Sequence, residues 1–85
     1  ELGLVIGGGN IFRGIHLNGI GVARTPADHM GMLATIMNGV AVQQACEAIG
    51  VSAHVLSALE CPKVAETYNW QKATQYLSAG HPVIF

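Results

Sequence analysis

The stretch that decides the fold is Leu2–Asn10, which reads LGLVIGGGN. Leu2–Ile6 is a short apolar run, and Gly7–Asn10 has the composition of a turn. A continuous apolar run that ends in turn residues is typical of a strand buried on both faces, as in a parallel sheet. We therefore expect Leu2–Ile6 to be the first strand of such a sheet.

The long segment after this strand predicts a helix. Thr25-Pro26-Ala27-Asp28 combines a hydroxyl N-cap, a proline at the first helical position and an acid soon after it, which is typical of a helix start. Ala, Met, Leu, Val and Gln continue the helix to Ile49, where Gly50 supplies a stop. Gly31 and Gly39 weaken this helix, so we expect another backbone to approach it closely.

The remaining residues predict a regular alternation of elements. In chain order they are a loop over 11–23, the helix Pro26–Ile49, a strand Val51–Leu59, a helix Trp70–Ala79 capped by Asn69 and closed by Gly80, and a strand His81–Phe85. Strands separated by helices indicate an α/β fold with a mostly parallel sheet and right-handed crossovers. Both ends fall at or inside strands, so residues 1–85 are expected to be a single partial domain of a longer protein.

The composition excludes several classes of protein. Only 11% of the 85 residues are charged and 51% are hydrophobic, against roughly a quarter charged in an ordinary domain. A net charge of −1 gives no electrostatic reason to expect nucleic acid or an anionic membrane as a partner. The mean hydropathy of +0.41 excludes disorder, and no stretch is apolar enough to span a membrane. Cys46 and Cys61 form no disulfide framework, so a reducing cytoplasm is expected.

Gly7–Asn10 and the arginine that follows it are candidates for an anion site. Successive glycines at the carboxyl end of a parallel strand let backbone N–H groups approach a phosphate, although they also suit a simple tight turn. The sequence matches neither common phosphate-loop motif. Arg13 lies three residues further on, where a guanidinium can hold phosphate oxygens or remain solvated.

The long helix carries two further features. Asp28 can stabilise the first turn of the helix or accept hydrogen bonds from two adjacent hydroxyls, as a sugar offers. The helix Pro26–Ile49 lacks charge over most of its circumference, which predicts a subunit interface or burial within the same chain. No histidine pair has metal-ligand spacing, so no metal site is expected in the chain.

Two motifs together resemble those of bacterial uridylate (UMP) kinases, which belong to the amino-acid kinase fold family. They are Val5–Gly14, reading VIGGGNIFRG, and Asp28–Thr35, reading DHMGMLAT, followed by Met37-Asn38-Gly39. The pair is highly specific, and weaker similarity extends through Val64, Tyr68 and Trp70 to Ile84.

This resemblance implies a three-layer α/β/α sandwich of the carbamate kinase type, of which residues 1–85 are a central segment. It implies transfer of the γ-phosphoryl group of Mg·ATP to UMP in pyrimidine nucleotide biosynthesis, by a cytoplasmic hexamer. Gly8 would contact the UMP phosphate, Gly9 the ATP phosphates and Asp28 the ribose hydroxyls of UMP. Arg13 would neutralise phosphate charge in catalysis, beside the ATP phosphates.

The resemblance also marks what the chain lacks. The family's phosphate-binding lysine, its acidic residue near the transferred phosphate and its ATP base pocket fall outside these residues, so the segment alone is expected to be inactive. Some members bind the activator GTP through basic residues near the long helix, whereas this chain has Gln43, Glu47 and His54 there. The alternatives are a nucleotide- or anion-binding protein of the same fold, or a related amino-acid or carbamate kinase.

Overall fold

The computed structural model, which describes residues 1–11 and 23–85, contains two helices and four strands within these ranges. The elements are β1 (Gly3–Leu4), α1 (Arg24–Ala48), β2 (His54–Ser57), β3 (Glu66–Thr67), α2 (Trp70–Ser78) and β4 (Val83–Ile84). The strands form one sheet in the order β1-β4-β2-β3, and each pair is parallel. The predicted α/β class with a parallel sheet is confirmed.

The strand β4 is one of the two inner strands of the sheet and lies between β1 and β2. Its residue Val83 is in register with Gly3 of β1 and His54 of β2. Both Val83 and Ile84 are fully buried. The apolar residues Val83 and Ile84 therefore lie in the middle of the core.

The two helices cover opposite faces of the sheet. On one face, Ile36 of α1 packs in a cluster with Val55 and Ile84. On the other, Ala73 of α2 packs with Leu56 and Val83. Because successive residues of a strand point to opposite faces, these alternating contacts build three layers, α/β/α, as the family resemblance implies.

The helix α1 begins one residue before Thr25, so the predicted Thr25 cap is wrong. Ala23 takes the N-cap position with an extended backbone, and no side chain caps the helix. Pro26 is then the third helical residue, where its missing N–H is still tolerated because the first four N–H groups have no partner within a helix. At the other end, Gly50 has a φ of 80°, as predicted for the stop. Within the described ranges, no helix combines the length and apolar content that a membrane crossing requires.

Gly39 of α1 is buried where the helix lies on the sheet. A Cβ atom at this position would lie 3.2 Å from Cγ1 of Val55 and 3.5 Å from Cδ1 of Ile6. The expected close approach of another backbone at Gly39 is therefore wrong, since side chains of the sheet occupy that space.

The strands are shorter than predicted, and β3 was missed. Val5 is 86% exposed and lies beyond β1, which pairs with β4 alone among the described strands. The expectation that Leu2–Ile6 is buried on both faces is therefore wrong for the described structure. Glu66–Thr67 shows no apolar pattern and is a strand because it pairs with Leu56 and Ser57 of β2.

The helix α2 follows the predicted boundaries closely. Asn69 accepts a hydrogen bond from the backbone N–H of Lys72 at 3.1 Å, which confirms it as the N-cap. Gly80 has a φ of 81°, the left-handed conformation that ends many helices.

Candidate functional site

The glycine segment Gly7–Asn10 forms a turn at the carboxyl end of β1. The backbone N–H of Ile11 donates to the carbonyl of Gly8 at 3.0 Å, which closes a four-residue turn. Ligands of open parallel sheets bind at this edge, outside the carboxyl ends of the strands. The turn therefore occupies the position that the sequence analysis assigned to an anion site.

Gly8 is buried against the backbone of α1. A Cβ atom at Gly8 would lie 2.7 Å from the N atom of Thr35 and 2.8 Å from Cβ of Ala34. Neither Gly7, Gly8 nor Gly9 has a positive φ. Glycine is required at position 8 because of this close approach. The alternative of a tight turn fits the Ile11–Gly8 hydrogen bond, but this turn does not use the left-handed conformation of glycine.

Asn38 ties the same loop to α1 one turn further along the helix. Its Nδ2 donates to the carbonyl of Gly7 at 2.8 Å and to Oδ1 of Asn10 at 2.7 Å. The sequence analysis gave Asn38 no role. The available signals were its place in Met37-Asn38-Gly39 and its amide, in a stretch of helix that is otherwise apolar or small.

A cavity of about 200 Å³ lies beside the loop. Its wall includes Ile6, which precedes the loop, and Thr35, which lies next to Gly8. Ser57, Ala58 and Phe85 close it at the carboxyl ends of β2 and β4, and the lining is mainly apolar. Such a cavity suits the uncharged part of a small ligand whose anionic group binds the loop.

Asp28 lies in the second turn of α1 and is exposed. Among the described residues it pairs with Arg24, whose Nε lies 3.8 Å from Oδ2, and both side chains are mainly exposed. The first turn of α1 contains no acid, so the interpretation of Asp28 as a residue that stabilises the helix start is wrong. Asp28 and Thr35 are seven residues apart, so they lie on one side of the helix about 10 Å from each other. Asp28 therefore lies on the same side of α1 as Thr35, which contacts Gly8.

Arg13, the predicted catalytic residue, falls in residues 12–22, outside the described residues. Its assignment beside the phosphates stays a prediction. Gly9, the predicted contact of the ATP phosphates, lies in the turn beside Gly8 and is half-buried. Of the predicted site residues, Gly8 and Gly9 lie together in the turn. Asp28 lies on α1, the helix that contacts Gly8, about two turns before Thr35.

A second polar cluster lies at the opposite, amino-terminal edge of the sheet. His54 Nε2 is 3.1 Å from His81 Nδ1, and His54 Nδ1 is 3.4 Å from Glu66 Oε2. The Tyr76 hydroxyl donates to Glu66 Oε1 at 2.6 Å, while its ring stacks on His54 at 3.6 Å. Lys72 Nζ lies 3.6 Å from Glu66 Oε1. Sequence spacing did not reveal this cluster because 27 residues separate the two histidines.

This cluster changes the acidity of a tyrosine. The hydrogen bond to Glu66 raises the pKa of the Tyr76 phenol above its ordinary value, and burial and the charge of Glu66 act in the same direction. In the described part of the chain, neither this cluster nor another provides three His, Cys, Asp or Glu side chains placed to hold a metal ion.

The chain is similar to proteins of one family along its whole length. The model of the amino acid kinase family matches residues 1–85. A uridylate kinase from Protochlamydia amoebophila is 64% identical over 85 residues, and the chain covers 34% of that protein.

Two solved structures superpose closely on this chain. The UMP kinase from Ureaplasma parvum superposes with a TM-score of 0.91 and is 36% identical in sequence. The superposition covers 98% of this chain and 37% of the Ureaplasma chain. The UMP kinase from Bacillus anthracis has a TM-score of 0.93 and 36% identity, over 100% of this chain and 35% of its own. The chain thus spans about a third of the length of these relatives.

Proposed function

Since the chain belongs to the amino acid kinase family, we propose that the complete protein transfers the γ-phosphoryl group of ATP to UMP, giving UDP for pyrimidine nucleotide biosynthesis. The names of the relatives reported above support the substrate, because these proteins, which are similar along 98–100% of this chain, are uridylate or UMP kinases. Residues 1–85 alone are proposed to be inactive.

The observation that carries this proposal is the close packing of Gly8 against the backbone of α1. Because Gly8 lies against the helix backbone, the loop can present N–H groups to a phosphate from its open side. Gly8 is proposed to bind the UMP phosphate and Gly9 the phosphates of ATP. Two phosphates held side by side satisfy the main need of phosphoryl transfer, which is positioning and charge neutralisation.

Two charged residues complete the proposed site. Arg13 follows the loop and would neutralise phosphate charge, which is worth most in a site shielded from water. Asp28 would accept hydrogen bonds from the ribose hydroxyls of UMP. Its exposed carboxylate and its position two turns from Thr35 on α1 support this role.

Magnesium is proposed to enter bound to ATP. Among residues 1–11 and 23–85, no group of three His, Cys, Asp or Glu side chains is placed to hold a metal ion. Mg²⁺ commonly binds substrate phosphates with few protein ligands, which is consistent with this arrangement.

The partners follow from the exposed face of α1. Met30, Leu33 and Met37 are 44%, 50% and 62% exposed, and they form an apolar strip on this helix. We propose that the strip packs against a second copy of the protein within a homo-oligomer, for which the family resemblance implies a hexamer. A cytoplasmic location would keep the two free cysteines reduced.

Activation by GTP through basic residues near α1 is not part of this proposal, because the chain has Gln43, Glu47 and His54 there. Gln43 donates to the carbonyl of Ala53 at 3.0 Å, and Glu47 accepts from Gln44 at 3.3 Å. Gln43 and Glu47 bring no positive charge for a triphosphate, and they already have partners within the chain.

The experiment that tests the proposed function is a coupled phosphotransferase assay on the complete protein. UMP, CMP, carbamate and glutamate are each offered with Mg·ATP. Selective turnover of UMP is expected. Turnover of carbamate or glutamate would assign the protein to another activity of the fold, and binding of UMP without turnover of any substrate would make it a nucleotide-binding protein.

A further inference from the structure

The side chain of Asn38 holds the glycine loop through a single nitrogen atom. Its Nδ2 lies 2.8 Å from the Gly7 carbonyl and 2.7 Å from Asn10 Oδ1. An amide nitrogen carries two hydrogens, so it can donate to both partners at once. The Gly7 carbonyl can only accept, which fixes the orientation of the Asn38 amide.

This contact also determines the direction of the next N–H group. The carbonyl of Gly7 and the N–H of Gly8 belong to one peptide plane, and the described chain contains no cis peptide bond. In a trans peptide these two groups point in opposite directions. Because Asn38 draws the Gly7 carbonyl towards α1, the Gly8 N–H points away from Asn38.

Two anchors on α1 keep this peptide in place. Gly8 lies against the backbone at Thr35, and Asn38 follows one helical turn later. The peptide between Gly7 and Gly8 is thus held at its carbonyl by a hydrogen bond and at Gly8 by close packing. A peptide held in this way can aim its N–H before any ligand arrives, which lowers the cost of binding.

We propose that Asn38 is a positioning residue that aims the Gly8 N–H at the phosphate of the nucleotide acceptor. The proposal rests on the proposed function for the identity of that acceptor. It assigns the amide a role in recognising phosphate, whereas a purely structural link between loop and helix would affect stability alone.

The test compares the binding of UMP, uridine and inorganic phosphate to the complete protein by calorimetry. Uridine lacks the phosphate. Its affinity therefore depends on the shape of the site but not on the direction of the Gly8 N–H. In Asn38→Ala, the affinity for UMP and for phosphate should fall about tenfold, the usual value of a hydrogen bond to a charged group. The affinity for uridine should change less than about twofold.

A second variant covers the case in which Asn38→Ala does not fold. Asn38→Asp is nearly the same size but places a carboxylate against the Gly7 carbonyl, which can only accept, so it should weaken UMP binding at least as much as the alanine variant. Gln44→Glu makes the same amide-to-acid change at an exposed position of α1 and should leave UMP affinity unchanged.

The outcomes distinguish this inference from the function on which it rests. If the wild-type protein binds phosphate but not UMP, the proposed function is wrong, and the phosphate affinities of the variants still test Asn38. If both Asn38 variants lower the thermal midpoint but bind UMP and phosphate like the wild type, Asn38 is a structural link only. Equal losses for UMP and uridine would also overturn its role in aiming at phosphate.

Discussion

At the scale of single residues, substitutions at Gly8 and at Gly7 are expected to differ in their effect on the free energy of unfolding. In Gly8→Ala the new methyl group would meet backbone atoms of α1 at 2.7–2.9 Å, which cannot move aside like a flexible side chain. We expect a loss of about 1–3 kcal/mol in the free energy of unfolding, the usual cost of overpacking. Urea denaturation of the complete protein measures it.

Gly7→Ala is the matched control for this change. No described atom lies within 4 Å of a Cβ at Gly7, and its φ is not positive. Its free energy of unfolding should stay within about 0.5 kcal/mol of the wild type. Equal losses in the two variants would show that the close approach of Gly8 to α1 is not what requires glycine.

Asp28 offers a test of nucleotide recognition. Its carboxylate is exposed and has only a loose contact with Arg24, so Asp28→Asn should leave stability nearly unchanged. Loss of the charged acceptor should raise the KM for UMP about tenfold or more. Steady-state kinetics with varied UMP and with varied ATP checks this, and a KM that rises for ATP alone would remove Asp28 from the ribose site.

Arg13 offers a test of charge neutralisation. Arg13→Ala in the complete enzyme should cost several kcal/mol in the free energy that corresponds to kcat/KM. Lys63→Ala is a suitable control, because Lys63 is exposed and is not one of the proposed site residues. A loss of less than about threefold for Arg13→Ala would exclude it from the site.

At the scale of elements, the exposed strip of α1 predicts an interface. Met37→Glu places a charge in the centre of the strip formed with Met30 and Leu33, and burial of an unpaired charge is costly. Light scattering should therefore show a smaller particle for this variant. Met37→Leu keeps the apolar surface and should keep the mass, whereas an unchanged mass for Met37→Glu would mean that the strip is covered within one subunit.

The link between α2 and β3 predicts a dependence of stability on pH. Tyr76→Phe removes the hydrogen bond to Glu66 and should cost about 1 kcal/mol at neutral pH. Because the pKa of Tyr76 is raised in the folded protein, this contribution is complete below about pH 10, the ordinary tyrosine value. Above it the unfolded chain loses its proton first, so the contribution falls as the pH rises through the folded pKa.

Urea denaturation at pH 8 and at successively higher pH values checks this. The difference between the wild type and Tyr76→Phe should shrink on the alkaline side. Tyr68→Phe is the control, since Tyr68 lies outside the Glu66 cluster, and it should show no such trend. A constant difference for Tyr76→Phe would mean that the Glu66 contact does not alter the acidity of the phenol.

The two helix starts show how far local patterns predict an element. Asn69 caps α2 as expected because its side chain needs only the backbone three residues on. Thr25 has the same capacity, but α1 begins at Arg24 and places it inside the first turn. A cap motif predicts that a helix is present more reliably than it predicts the residue at which that helix begins.

At the scale of the whole molecule, the sequence predicts the class of fold better than the pairing of its strands. The order of helices and strands was enough to indicate a parallel sheet. The short strand Glu66–Thr67 was missed because backbone pairing with Leu56 and Ser57, and not its own composition, makes it a strand. Likewise, the glycine pattern indicated the loop, but the contacts of Asn38 with Gly7 and Asn10 depend on how α1 lies on the sheet.

The position of β4 between β1 and β2 has a consequence for the order in which the chain is made. Synthesis produces β1 first, yet its partner in the sheet, Val83–Ile84, is among the last residues of this segment to leave the ribosome. The strand β2 pairs with the other edge of β4. Until β4 has been made, β1 and β2 are therefore not joined through it in the sheet. At about 5–20 residues per second, the first strand stays unpaired with β4 for several seconds. During that time Leu2–Ile6 lacks the neighbour that β4 provides in the sheet, so the order of synthesis delays the completion of this part of the sheet.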